Sequence, residues 1–368
     1  MEEIAPVHLV AAAGFAAGLV FGAVANKTNF CTMGSLSDIV FMGDYNRFRA
    51  WLLAIAVAII GTQVLAAAEI IDLSGSIYLT PNLGWFGAIL GGLLFGFGMT
   101  MAGGCANKNL VRIGGGNLKS IIVIVVMGLF AYMTLRGLIG LARVEMEAVL
   151  NVNLEEAAEL ESQAMPALAA LLTGLEESLA RWVLVALLGG GILIYCFKNA
   201  EFRAAPRDVL AGLLIGALVP VGWWITGVLG FDDFEPMPIG SFTFVGPAGE
   251  SLQYLMTFSG ATINFGVATV GGVIVGSFLV AVGGRTFRVE AFSDQSDMLR
   301  HLFGAAIMGI GGVMALGCTV GQGITGMSTL AAGSLIALLS ILLGGVLGLK
   351  YLEEGSLGGA VAALFSRQ

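Results

Sequence analysis

The sequence predicts an all-α, polytopic membrane protein with about nine transmembrane helices, re-entrant half-helices and an inverted internal repeat. Composition, the length of the apolar runs and a repeated cysteine motif predict this fold class. Of the 368 residues, 57% are hydrophobic and 11% are charged, and the mean hydropathy is +0.91. A soluble domain carries about 25% charged residues. The chain therefore has too few charged residues to cover a water-facing surface of ordinary size.

The apolar runs set the number of spans, because a bilayer is crossed by about 17–25 residues of helix. A soluble protein with an oversized core would not contain so many long runs. We place the spans at residues 7–26, 50–71, 84–103, 119–141, 181–197, 208–230, 260–283, 300–317 and 333–351. Glycine supports this interpretation, since the chain has 55 glycines and glycine allows close helix packing and helix breaks within a membrane.

Three short pieces between the spans predict re-entrant structure. They cover residues 29–43, 106–116 and 319–332. Each is too short to cross a bilayer and too apolar to be an ordinary solvated loop. Half-helices whose backbone is surrounded by protein or by an aqueous cavity satisfy both conditions.

The distribution of Lys and Arg predicts the orientation, because cytoplasmic loops are enriched in these residues. Lys and Arg occur in segments 27–49, 105–119, 198–207 and 285–300, whereas 72–83, 231–259 and 318–332 contain neither. Alternation of the spans then places the N-terminus outside and the C-terminus inside. The acidic start Met1-Glu2-Glu3 does not resemble a cleaved basic leader.

A repeat divides the chain into two halves. GMTMAGGC ends at Cys105 and GVMALGC ends at Cys318. With the cysteines aligned, the identical pairs are Gly96/Gly309, Gly98/Gly311, Met101/Met314, Ala102/Ala315, Gly104/Gly317 and Cys105/Cys318. We predict a first repeat at 1–142, an acidic amphipathic insert with a connector span at 143–207, and a second repeat at 208–368. A single connecting span inverts the second repeat, and inverted repeats bind substrate at their shared interface.

The segment 143–177 carries eight glutamates among alanines and leucines at helical spacing. This pattern predicts an acidic amphipathic helix or helix pair on the outer surface. We favour a solvated connector over a lid for this segment.

The cysteines are the candidate functional groups. A buried thiol usually packs as a small hydrophobic group, and Cys196, inside an apolar run, is interpreted in this way. Cys31, Cys105 and Cys318 instead lie where an apolar run ends and small or amide residues follow. A helix restarting after each cysteine would direct N–H groups towards an anion. A soft, sulfur-ended anion suits weak contacts with protonated thiols along a conducting path.

Neighbouring residues complete the candidate binding set, which comprises Gly104, Asn107, Lys108, Gly317 and Gln322. The amides have two alternatives, donation to substrate oxygens or satisfaction of the broken backbone. Lys108 either attracts the anion or only marks the cytoplasmic side. With no CxxC spacing and two histidines, no metal or cofactor site is expected, and the formal charge of −8 argues against nucleic acid.

At these residues the chain resembles the YeeE/YedE family of membrane proteins. The family's sulfur transport domain has a glycine-rich helix end leading into a cysteine in each half, with a further cysteine near the first span. The matching segments here are GGCANKN with Cys105, LGCTVGQG with Cys318 and NFCTMG with Cys31. The resemblance covers nearly the whole chain apart from the acidic insert.

This resemblance implies a multi-pass bacterial inner-membrane protein that imports thiosulfate through a central constriction by relay between cysteines. It also implies a small cytosolic sulfur-carrier protein as partner. Three alternatives remain open. They are a permease for a selenium or other sulfur species, a membrane sulfurtransferase or thiol oxidoreductase that forms a cysteine persulfide, and a subunit that only docks the carrier. We expect no enzymatic activity, since a persulfide enzyme needs an activated thiolate and no histidine lies near a motif cysteine in the sequence.

Overall fold

The computed structural model describes residues 5–232 and 237–365, and these fold almost entirely as helices. In chain order the helices are α1 Pro6–Thr28, α2 Thr32–Met42, α3 Asn46–Ala67, α4 Trp85–Met101, α5 Ala106–Gly114, α6 Leu118–Arg136, α7 Leu138–Leu150, α8 Leu154–Ala158, α9 Met165–Thr173, α10 Glu177–Leu184, α11 Gly191–Lys198, α12 Ala200–Arg203, α13 Pro206–Trp224, α14 Val245–Met256, α15 Phe265–Gly283, α16 Gln295–Met314, α17 Ala332–Glu354 and α18 Leu357–Phe365. The π-helical segments are Val185–Gly190, Ile225–Leu229 and Gly321–Gly326, and a 3₁₀ turn covers Phe258–Gly260. Two short strands, β1 Asn82–Leu83 and β2 Val152–Asn153, form an antiparallel pair. The predicted all-α polytopic class is confirmed.

Eight helical stretches within the described residues are long and apolar enough to cross a membrane. They are Pro6–Met42, Asn46–Ala67, Trp85–Gly114, Leu118–Arg136, Glu177–Lys198, Pro206–Leu229, Phe265–Gly283 and Ala332–Glu354. The eighth predicted span corresponds to α16, which has 20 residues but carries Asp297, Arg300 and His301 near its start. The count of nine and the inverted arrangement stay predictions.

Two of the three predicted half-helices begin directly after a motif cysteine, and the third begins three residues after one. Cys31 is the N-cap of α2, and Cys105 is the N-cap of α5. Cys318 precedes the π-helical segment. Two of the breaks contain a residue with left-handed backbone, since Gly103 has φ +69° and Leu316 has φ +57°. Only glycine adopts this region without strain.

Glycine brings helices of the two predicted halves into close contact. α1 packs on α15, and α4 packs on α17. A Cβ at Gly22 of α1 would lie 2.1 Å from the Val273 carbonyl oxygen, and one at Gly96 of α4 would lie 2.1 Å from the Ile341 oxygen. Backbones this close gain dispersion energy, which drives helix association in lipid.

The acidic insert differs in detail from the expected helix or helix pair. It forms the short helices α7, α8 and α9, and β2 pairs with β1. Helix α7 ends before Asn151, and Pro166 lies in the first turn of α9, since Asn favours caps and Pro favours the start of a helix. The side chain of Gln163 accepts a hydrogen bond from the Gly333 N–H at 3.1 Å. The insert is therefore bonded to the start of α17 rather than only solvated.

Candidate functional site

Cys31 and Cys105 lie together although they follow different helices. Both are buried, with exposed fractions of 5% and 0%, and their sulfurs lie close together. The Cys31 sulfur accepts the N–H of Gly34 in the first turn of α2 at 3.3 Å. A helix start thus points one backbone donor at the Cys31 sulfur.

A residue of the second half of the chain, Thr319, also lies beside Cys105. The Cys105 thiol donates to Oδ1 of Asn107 at 2.6 Å. Its sulfur also lies beside the hydroxyl of Thr319, the residue that follows Cys318. Helix breaks from both predicted halves therefore meet at Cys105, inside the protein and away from lipid.

Cys318 is fully buried and accepts the N–H of Gly321 at 3.3 Å. The broken backbone around it is held by Gln322, whose Nε2 donates to the Ala315 carbonyl at 2.5 Å. Gly317 packs against Gln322, because a Cβ there would meet the Gln322 backbone nitrogen at 3.1 Å. Gln322 thus satisfies a carbonyl left free by the break, while its own Oε1 has no hydrogen-bond partner among the described residues.

The face of the protein nearest to Cys31 and Cys105 is basic. Lys108 donates from Nζ to Oδ1 of Asn29. Arg112 donates to the Gly103 carbonyl at 2.5 Å, and Arg47 pairs with Asp38 at 2.8 Å. Gly104 packs on Lys108, since a Cβ there would meet its Cγ at 3.1 Å. The cations therefore lie around the break before Cys105.

A cavity of about 360 Å³ opens on the side of Cys318. Leu316 and Gly317, directly before the cysteine, line it together with Tyr78. Burial and the neighbouring Cys318 sulfur raise the pKa of Tyr78, which keeps this phenol a neutral hydrogen-bond donor. Glu250 also lines the cavity, and its carboxylate accepts a hydrogen bond from Asn264 at 2.8 Å.

Sequence reasoning missed three residues near the thiols. They are Tyr78, Thr319 and His301. The His301 ring lies over the break before Cys105, where a Cβ at Gly103 would meet its Nε2 at 3.1 Å. Only Thr319 had a signal in the sequence, its position next to a motif cysteine. Tyr78 and His301 are brought there by folding from distant segments.

The fourth cysteine behaves as predicted. Cys196 is buried on α11, and its thiol donates to the Arg49 carbonyl at 3.4 Å. It packs in a small separate cluster with Leu53 and Phe202. In residues 5–232 and 237–365, no group of three His, Cys, Asp or Glu side chains is arranged to hold a metal ion.

The family model that matches this chain, and two of the relatives that it resembles, are named for sulfur or thiosulfate transport. The family model described as "Sulphur transport" matches residues 27–347. The thiosulfate transporter TsuA of Escherichia coli K12 is 27% identical over 347 residues, which cover 90% of this chain and 91% of that protein. TsuA of Spirochaeta thermophila is 25% identical over 338 residues, covering 90% and 96% of the two chains. The probable transporter YedE of E. coli K12 is 31% identical over 99 residues, or 26% of this chain and 22% of that one.

Proposed function

The chain belongs to the sulphur transport (YeeE/YedE) family, and from that premise we propose that it imports thiosulfate across the bacterial inner membrane. The two TsuA relatives, each matched over nine-tenths of this chain, are named as thiosulfate transporters. The membrane-spanning helices fit a transport protein. Thiosulfate has a soft terminal sulfur and three hard oxygens, and the site provides separate donors for each.

The observation that carries the proposal is that three buried thiols lie at helix breaks, and we infer that they form a row along the transport path. Cys318 directly follows two residues that line the cavity, and Cys31 and Cys105 lie near Lys108 and Arg112 of the basic face. Thr319 joins the two groups through its contact with Cys105. We propose that the sulfur end of the anion passes from Cys318 to Cys105 and then to Cys31.

Neutral thiols suit this task. A thiolate would repel a dianion, whereas an S–H group offers a weak hydrogen bond to the terminal sulfur. Conduction requires contacts that are strong enough to admit the anion and weak enough to release it. Lys108 and Arg112 then attract the anion at the basic face, which we assign to the cytoplasm by the positive-inside rule. There the imported anion would become available to a small cytosolic sulfur-carrier protein.

Uptake of radiolabelled thiosulfate into vesicles containing only this protein tests the proposal. We expect uptake above that of empty vesicles. Substituting Cys105 by Ser keeps a donor but shortens its reach and removes the soft sulfur, so uptake should fall but persist. The matched control is Cys196→Ser, which changes a thiol outside the row and should leave uptake unchanged. Folded wild-type protein that moves no thiosulfate would refute the transport proposal.

The contact between Cys31 and Cys105 favours one alternative, a sulfurtransferase that holds sulfur as a persulfide. Such an enzyme depends on covalent bond formation at sulfur. The serine variant distinguishes the two functions, because serine forms no persulfide. Complete loss of activity in Cys105→Ser, together with a persulfide trapped on the wild-type protein, would support the enzyme.

A further inference from the structure

We propose that the hydroxyl of Thr319 binds the oxygen end of the anion where the two halves of the protein meet, a role that rests on the proposed transport of thiosulfate. Thr319 follows Cys318 directly in the chain, and its hydroxyl lies beside the Cys105 sulfur. It is therefore positioned between two thiols that come from different halves. An anion moving between these two sulfurs would come within reach of this hydroxyl.

Apart from its contact with the Cys105 sulfur, the hydroxyl of Thr319 is buried without a partner among the described residues. The residue has an exposed fraction of 0%, and its Oγ1 makes no hydrogen bond of normal geometry with any described residue. Leaving a buried polar group unsatisfied destabilises a protein. Valine would fill the same space without this cost, so a stability requirement alone does not account for threonine here.

The chemistry of thiosulfate explains the arrangement. The anion exposes soft sulfur at one end and hard oxygens at the other. A thiol is a weak donor suited to the sulfur, whereas a hydroxyl is a stronger donor suited to an oxygen. When the sulfur end lies at Cys105, an oxygen can take the hydrogen bond that Thr319 offers. Thiol and hydroxyl together thus recognise both ends of one small anion.

The substitution Thr319→Val removes the hydroxyl and keeps the β-branched shape. Losing a hydrogen bond to a charged ligand should raise the half-saturating thiosulfate concentration by about tenfold or more. The maximal uptake rate should fall less than the affinity. The melting temperature of the substrate-free variant should equal or exceed that of the wild type, because an unsatisfied buried group has been removed.

Two further variants serve as controls. Thr62 on α3 also has a buried hydroxyl without a partner among the described residues. Thr62→Val should therefore match Thr319→Val in melting temperature while leaving the uptake kinetics unchanged. Thr319→Ser retains a hydroxyl and should retain most of the affinity.

The outcomes separate this inference from the transport proposal. If wild-type vesicles move no thiosulfate, the transport proposal fails and Thr319 loses its assigned role with it. If wild-type vesicles move thiosulfate and Thr319→Val has an unchanged half-saturating concentration, only the role of Thr319 is refuted. A Thr319→Val protein that melts below the wild type would also refute it, because the hydroxyl would then have a structural partner.

Discussion

A methyl group at Gly22 would test whether packing between the halves sets the position of the thiols. Gly22 lies on α1, the helix that leads to Cys31, and it faces α15. A Cβ at Gly22 would lie 2.1 Å from the Val273 carbonyl oxygen, whereas ordinary van der Waals contact begins at 3.4 Å. The substitution Gly22→Ala therefore requires α1 and α15 to separate by roughly 1 Å, since neither backbone can bend aside cheaply.

Two energies of opposite sign set the effect on stability. Overpacking typically costs about 1–3 kcal/mol, and the contact with backbone oxygen puts this site at the upper end. Replacing Gly by Ala within a helix returns about 1 kcal/mol. The net loss in the free energy of unfolding is therefore about 2 kcal/mol. A displacement of 1 Å between Cys31 and Cys105 should also slow uptake, by analogy with misplaced reacting groups, where such a shift costs about a hundredfold.

The matched control is Gly191→Ala on α11, where a Cβ would meet nothing within 4 Å. We expect Gly22→Ala to lower the melting temperature in detergent and to lower thiosulfate uptake at equal protein content. Gly191→Ala should lower neither. Equal melting temperatures and equal uptake for the two variants would show that the α1–α15 contact does not position the thiols.

Four other predictions concern the proposed transport path. Because the Cys31 and Cys105 sulfurs lie close together, a mild oxidant should join them in a disulfide that blocks uptake until reductant is added. Tyr78→Phe should weaken thiosulfate binding, since its phenol lines the cavity beside Cys318, whereas Tyr254→Phe on α14 serves as the control. The raised pKa of Tyr78 should keep this donor protonated above about pH 10, where a free tyrosine ionises, so uptake should not fall through ionisation of Tyr78 as the pH rises through that value. A fall there that Tyr78→Phe does not show would contradict this. Lys108→Met should slow uptake most at low salt, because screening weakens long-range attraction of the anion.

Each of these predictions has a result that contradicts it. Oxidant-treated protein with both thiols still free to react with maleimide would place Cys31 and Cys105 apart. Equal affinities of Tyr78→Phe and wild type would remove the phenol from the path. A rate loss in Lys108→Met that does not change with salt would point to a structural role for the Asn29 contact.

The sequence predicted the helices well because their signal is local. Long apolar runs and glycine-flanked cysteines are read directly from neighbouring residues, and α2 and α5 begin where the motifs placed the half-helices. The insert was harder to predict. Its strand pairs Asn82 with Asn153, and a contact between segments so far apart leaves no periodic pattern in either one.

The candidate site was predicted in part for the same reason. Cys31, Cys105 and Cys318 were visible as motif residues, and they are buried at the helix breaks. Tyr78 lies between α3 and α4 in a loop without any motif, and only the fold brings it to the cavity beside Cys318. His301 belongs to α16 and reaches Gly103 across a helix packing contact. Such residues carry no signal in a single sequence.

The polar groups at the helix breaks have different roles: some satisfy the backbone, and others remain available to an anion. A helix broken at membrane depth must satisfy its carbonyls from within the protein. Asn109 donates to the Gly104 carbonyl at 2.8 Å, and Gln322 donates to the Ala315 carbonyl. These two side-chain amides therefore satisfy carbonyls that the breaks leave free. The Thr319 hydroxyl is then not needed to hold the backbone together, whereas the Cys31 and Cys318 sulfurs each accept one backbone N–H at a helix start. A site built in this way can bind and release an anion repeatedly without loosening the helix ends that form it.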